Sequence, residues 1–291
     1  MIRQLNIFEP DPKETGMESI VNVASVPQRS PFRYPGGKTW LIPTFRTWVK
    51  RFNPNQIIFI EPFAGGGIVS LTVAFERLAK KIIMIELDEE IAAVWETVFN
   101  GKNEWLADKI YKFELTRENV KKELERGDKS IADAAFATIL KNRIFHGGII
   151  AKGAGLIKNG ENGKGIASRW YPKTLRDRIL AINQIKQRID FIQGDAFEII
   201  SRYKNNPDAV FFIDPPYTVA GKRLYTHFYV DHEKLFELTS RVKGHFLMTY
   251  DDMEEVRHWA KKYNLKCKTV PMKTTHHLEK NELLISDNLD W

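Results

Sequence analysis

Short apolar runs punctuate the chain, and their length and composition set the first reading. Residues 57–60 (IIFI) are continuously β-rich without polar alternation, the pattern of a strand buried on both faces of a parallel sheet. The run enters the turn Pro62-Phe63-Ala64-Gly65-Gly66-Gly67, a helical pattern over residues 68–78, and a second buried run at residues 81–87 (KIIMIEL). Residues 189–194 (IDFIQG), 209–213 (AVFFI) and 245–250 (HFLMTY) predict three more strands, the first two followed at once by Asp195 and Asp214. Asp231 is placed to cap a helix, with His232 beside it as a structural residue. The pairs Asp251…Glu254 and Asp252…Glu255 both have capping-box spacing. Residues 265–270 and 282–286 predict two strands joined by a polar turn, an antiparallel hairpin at the sheet edge. Repeated strand–helix alternation predicts a doubly wound α/β sheet that takes ligands at the carboxyl ends of its strands.

Two segments break the rhythm. Residues 1–29 hold no sustained period and contain Pro10, Pro12, Gly16 and Pro27, which reads as an N-terminal arm. Residues 100–186 begin with helical patterns, including residues 130–145, and continue into a glycine- and lysine-rich stretch over 147–165. Asn159-Gly160 and Asn162-Gly163 are turn signals there. The expected organisation is an arm (1–29), a main domain (30–99 with 187–291) and an inserted, mainly helical domain (100–186).

Composition narrows the class. A formal charge of +7 and a pI near 9.2 favour an acidic partner, nucleic acid first among them, provided the excess is clustered. Cys267 is the only cysteine, which excludes an internal disulfide and a cysteine-based zinc site. It lies in an alternating stretch and reads as a strand residue. No apolar run reaches membrane-spanning length, and the N-terminus has no apolar core before a small-residue cleavage site. The expectation is a cytoplasmic protein without a metal.

Three glycine or proline motifs carry candidate chemistry. The turn over residues 61–67 lets the backbone bend sharply and approach a ligand closely, yet Ser70 stands where a dinucleotide fingerprint needs another glycine. Glu86 ends the next strand, about 20 residues on, where a carboxylate can accept ribose hydroxyls; Asp88 is a second candidate. A cationic sulfonium ligand, unlike a pyrophosphate, tolerates Glu61 in this turn. Gly37-Lys38-Thr39 looks like the end of a phosphate loop, but Phe32 occupies the position of the required glycine and no strand precedes it. Asp214-Pro215-Pro216-Tyr217 closes a buried run. An adenine amine is a poor nucleophile because its lone pair is delocalised; Asp214 and the Pro215 carbonyl can accept its two N–H groups and free that pair. Pro215 and Pro216 stiffen the loop, and Tyr217 offers a face to a flipped base.

At these residues the sequence resembles the Dam-type N6-adenine-specific DNA methyltransferases, from about residue 31 to the C-terminus and with the motifs in that family's order. The resemblance implies a Rossmann-like S-adenosylmethionine-dependent methyltransferase sheet with a C-terminal β-hairpin and an inserted target-recognition domain. Residues 32–38 (FRYPGGK) resemble the family's N-terminal cofactor motif, which would make Tyr34 and Lys38 cofactor-binding. Glu61, Phe63, Gly65 and Gly67 fall in its methionine-binding loop, Glu86 at its ribose acid and Asp195 at the acid near the cofactor adenine. Asp214, Pro215, Pro216 and Tyr217 match its catalytic motif, with Asp214 also facing the cofactor. Two departures stand out: Pro35 replaces a small residue, and Glu86 replaces the commoner aspartate.

By position the insertion corresponds to the family's target-recognition domain. Asn142, Arg143, His146, Lys152, Lys158, Lys164 and Arg169 gather donors around the glycine-rich middle, where lysine and arginine neutralise phosphates and an arginine can fork onto guanine. A solvated basic loop is the plainer alternative. Lys222, Arg223, Tyr225, His227 and Tyr229 read either as a flap over an extruded base or as packing residues. The expected partner is double-stranded DNA, the expected state a monomer or weak dimer, and the expected setting DNA methylation of the restriction–modification kind. RNA adenine methylation and a non-catalytic nucleic-acid-binding relic are the rival readings.

Overall fold

The computed structural model describes residues 26–33, 37–151, 153–160, 163–217, 229–273 and 279–291. Tyr34, Lys152, Asn162, most of the expected arm and residues 222–227 of the expected flap lie outside the described residues. Seven strands form one sheet: β1 (Ile58–Glu61), β2 (Lys81–Glu86), β3 (Ile189–Gln193), β4 (Ala209–Ile213), β5 (His245–Asp251), β6 (Lys266–Lys273) and β7 (Glu279–Ser286). Their order is β3-β2-β1-β4-β5-β7-β6. The first five run parallel; β7 is antiparallel to both β5 and β6. This is the expected doubly wound, Rossmann-like sheet with its C-terminal hairpin. The chain winds outwards from β1 to β3, then returns to place β4 on the other side of β1. The resulting switch point lies between the carboxyl ends of β1 and β4, where a crevice forms.

Helices cover both faces because successive strand residues point to opposite sides. Phe59, Ile82, Met84, Val210, Phe212, Leu247 and Leu284 belong to one apolar cluster. Their neighbours Ile60, Ile83, Ile85, Phe211, Ile213, Met248 and Leu283 belong to the other. The first cluster is closed by α1 (Ile42–Val49), α2 (Ile68–Phe75), α3 (Glu89–Phe99), α4 (Asn103–Lys112), α5 (Arg117–Glu125), α6 (Ile131–Ile144) and α7 (Pro172–Ala181). The second is closed by α8 (Ala196–Tyr203), α9 (His232–Thr239) and α10 (Glu254–Lys262).

Asp231 caps α9 as expected, accepting a backbone N–H, and Ser130 and Asp195 do the same for α6 and α8. Neither capping box before α10 forms. Strand β5 extends to Asp251, which pairs with Glu282 in register, and Met253 takes the N-cap position. The Asp252 carboxylate is spent on Arg257, at 2.7 and 2.8 Å. Cys267 lies exposed in β6.

Residues 100–186 do not stand apart from the sheet. Leu106, Ile110, Phe136, Ile139 and Leu175 share one contiguous core with Trp95 and Val98 of α3 and with the strands. Beyond α6, a short antiparallel bridge joins Phe145 to Leu156 and opens the glycine-rich stretch.

Candidate active site

The two turns at the switch point bound a single cavity of about 590 Å³, a volume that fits a nucleoside-sized ligand. Its wall includes Glu61 to Val69 after β1, Glu86 to Asp88 after β2, Asp195 to Phe197 after β3, and Asp214 with Pro216 after β4. Lys38 and Phe32 enter from the N-terminal segment, Arg143 and Arg178 from α6 and α7. Among the sequence-predicted cofactor residues, Lys38, Glu61, Phe63, Gly65, Gly67, Glu86, Asp195 and Asp214 meet at this one space. Pro215 is buried and, like Tyr217, is not part of the wall.

The glycine turn is fixed from three sides. Gly67 has φ +63°, a left-handed conformation, and its backbone lies against Trp95: an added Cβ would sit 2.9 Å from Cζ2 of that ring. The Trp95 indole donates to the Gly65 carbonyl at 2.9 Å, and the Ser30 hydroxyl donates to the Gly66 carbonyl at 2.5 Å. The Glu86 carboxylate accepts from Gly65 N–H at 2.8 Å and from Asp88 N–H at 2.9 Å. Asp88 itself caps α3 through Glu90 and Ile91 N–H. Sequence reasoning treats Glu86 as a ribose acid; here it also ties the turn after β1 to the end of β2.

Glu61 accepts from Ser70 N–H at 2.9 Å and is otherwise enclosed. Burial pushes its carboxyl up to about 8, with Asp214 and Glu86 adding to the shift. Burial likewise pushes Glu86 up to about 7. Several carboxyl groups crowded on one wall resist ionising together, and a cationic guest offsets that cost. A sulfonium with an adjacent ammonium fits that wall, so the donors present suit S-adenosylmethionine. Glu61 and Gly65 to Gly67 would hold its amino-acid end, Glu86 its ribose and Asp195 its adenine.

Asp214 is anchored from behind. Lys38 Nζ lies 2.9 Å from its Oδ1, and the Thr249 hydroxyl donates to the same oxygen at 2.7 Å. Among the described residues both partners fall on Oδ1, which leaves Oδ2 for another donor. The carboxylate keeps partial exposure on the cavity wall. Lys38, expected to touch the cofactor, is buried in this ion pair. Tyr217 donates its hydroxyl to Glu282 Oε2 at 3.0 Å and stacks on Tyr250 with centroids 6.0 Å apart. Burial, and then Asp214 and Glu282, push its phenol well above the ordinary range.

The candidate DNA residues separate into two groups. Lys158 and Lys164 are exposed and Arg169 is half-buried. Asn142 and Arg143 are buried, and reading them as surface donors needs correction. The Asn142 amide bonds both backbone groups of Arg33 and the carbonyl of Gly148. Gly148 lies so close to the Arg33 carbonyl that no side chain fits there. Arg143 donates to the Pro31 carbonyl. Both polar side chains therefore stitch the N-terminal segment to the end of α6. Arg143 also lines the cavity beside Arg33 and Arg178; burial, then repulsion by Arg178, Arg33 and Arg169, lowers its guanidinium to about 10. Ser30, Trp95, Thr249 and Glu282 are site residues that no motif marks.

Residues 34–129 and 158–274 match the family model of the D12 class N6 adenine-specific DNA methyltransferases. No curated protein sequence matches the chain significantly. Solved structures that align with it include an rRNA methylase from Streptococcus thermophilus, at 12% identity over 86% of this chain and 97% of the other, TM-score 0.38. The B. subtilis tRNA methyltransferase TrmK aligns at 10% identity over 84% and 65%, TM-score 0.37. The precorrin-6y C5,15-methyltransferase of Geobacter metallireducens aligns at 8% identity over 84% and 85%, TM-score 0.36.

Proposed function

The chain belongs to the D12 class N6 adenine-specific DNA methyltransferases, and from that premise we propose that it methylates the exocyclic amine of adenine in double-stranded DNA. Membership of this family makes it a methyltransferase and implies S-adenosylmethionine as the methyl donor. The observation that carries the substrate reading is local: Asp214 opens onto the same cavity as the acidic glycine turn after β1.

When bound, S-adenosylmethionine supplies a methyl group on positively charged sulfur. Asp214 accepts an N–H of the target amine on Oδ2 while Lys38 and Thr249 hold Oδ1. With that N–H held, the nitrogen pyramidalises and its lone pair becomes available for in-line attack. A well-placed carboxylate of this kind contributes a few kcal/mol, roughly 2–4. The nitrogen sheds one proton after transfer, and Asp214 is placed to receive it. Reaching an adenine in a duplex requires extrusion of the base. Lys158, Lys164 and Arg169 supply the cationic track, and residues 100–186 act as the target-recognition part although they share the catalytic core.

The test is direct. Protein incubated with S-adenosylmethionine and duplex DNA, followed by nucleoside analysis, should yield N6-methyladenine. Asp214→Ala should lose at least about a hundredfold in rate while DNA affinity stays within a few-fold. Methylation of RNA alone, or full turnover by the variant, overturns the reading.

A further inference from the structure

Glu282 is a costly residue for its position. It sits in β7, paired with Asp251 of β5 on one side and Val270 of β6 on the other, and is 4% exposed. The apolar run Leu283-Leu284-Ile285 that follows would be served by any β-former at 282. A buried carboxylate persists only where it is paired, and its fold-level return is small. Its partners here are Tyr217 of the catalytic motif, whose hydroxyl lies at 3.0 Å, and Lys38 of the N-terminal motif, whose Nζ lies at 3.8 Å. Lys38 meanwhile binds Asp214 at 2.9 Å and lies 4.9 Å from the Tyr217 ring centroid. One ammonium thus sits between two carboxylates, one from each edge of the site.

We propose that Glu282 is a positioning residue for methyl transfer, fixing Tyr217 through its phenol and serving Lys38 as a second counter-ion while Asp214 turns to the substrate amine. The inference rests on the function proposed above and adds a residue that no motif contains. Asp214 must accept hydrogen bonds from the amine, and a full salt bridge to Lys38 weakens it as an acceptor. Glu282 shares the ammonium, so Lys38 stays in place without claiming all of the Asp214 charge. The groups facing Lys38 agree with this division: Asp214 and Tyr217 beyond β4, Asp251 of β5 and Glu282 of β7. Burial alone would lower the Lys38 ammonium, but Asp214, then Glu282 and Asp251, hold it above its ordinary value. Burial raises the Glu282 carboxyl, partly offset by Lys38.

Two variants separate charge from tether. Glu282→Gln keeps an oxygen for the Tyr217 hydroxyl and removes the charge; Glu282→Ala removes both. S-adenosylmethionine affinity should stay within about twofold in each, while single-turnover methylation falls roughly tenfold in the first and a hundredfold in the second. Carbon-13 NMR of lysine-labelled protein, with Lys38→Arg to assign the signal, gives a readout independent of turnover. The Lys38 midpoint should drop by about one pH unit or more in Glu282→Gln. If Glu282→Ala does not fold, the near-isosteric Glu282→Gln decides alone. Unchanged rates with an unmoved Lys38 midpoint overturn the proposal, as does a rate loss matched by equal loss of cofactor affinity. If the wild-type protein leaves DNA unmodified, the substrate reading fails. The Lys38 midpoint, and the variants' rates on whichever acceptor is methylated, then still decide the role of Glu282.

Discussion

Glu61 and Glu86 share a wall, and their protonation should govern what that wall binds. Both carboxyls stand above their ordinary value of 4.5, at about 8 and about 7, chiefly because burial penalises the charged form. The folded protein therefore binds protons here that the unfolded chain has released. The stability these two groups contribute is complete below about 4.5 and is lost as pH rises through 7 and 8. Cofactor affinity runs the other way, because a cationic guest prefers ionised carboxylates. Calorimetric titration with S-adenosylmethionine should show affinity rising from pH 6 to about 8.5, with net proton release on binding. Glu61→Gln should flatten the upper part of that rise; an unchanged profile would place the cationic end of the ligand elsewhere. At this scale the sequence displays the acids that end strands, since Glu61, Glu86, Asp195 and Asp214 each follow an apolar run. It hides their partners. Nothing in a linear pattern links Lys38 to Asp214 or Tyr217 to Glu282, because the first pair needs the N-terminal segment laid against the end of β4 and the second needs β4 and β7 on the two sides of β5.

Elements are where the sequence speaks most clearly and where small errors have definite causes. The five parallel strands fall on the predicted runs because each is a short, bounded block of β-formers, whereas β6 and β7 each run three residues further towards their turn, to Lys273 and from Glu279, where cross-strand pairing extends them. The failed capping boxes before α10 show the limit: Asp251 has cap spacing but is claimed by the β5–β7 ladder. The turn from β1 into α2 depends on Gly67 in two ways, a left-handed backbone and contact with Trp95 and Met84. Gly67→Ala should cost about 2 kcal/mol or more in urea unfolding and weaken cofactor binding, since strain and overpacking add. Gly155→Ala, where an added Cβ meets nothing within 4 Å, is the control and should be close to neutral. Equal effects of the two substitutions would remove the argument for a tightly packed turn.

At the scale of the whole molecule, the shared core sets how many cooperative units the chain holds. Phe136 of α6 is fully buried in the same cluster as the sheet, within the segment that breaks the strand–helix rhythm. If residues 100–186 fold as part of the main core, Phe136→Ala lowers one shared transition by about 3–5 kcal/mol, with tryptophan fluorescence and far-UV circular dichroism coinciding. Two separated transitions would restore an independent domain. Asn142 and Arg143 mark the same divide. As polar residues near a basic stretch they read as surface donors, whereas α6 packs closely enough on its neighbours to turn them inward onto residues 31–33. The order of apolar runs and strand-end acids by itself determined an α/β sheet with a ligand site at its switch point, because periodicity and turn chemistry are local properties of the chain. Which polar groups face solvent, which bind one another across strands, and whether the helical segment stands alone were decided only by tertiary packing, because burial depends on what a distant part of the chain brings alongside.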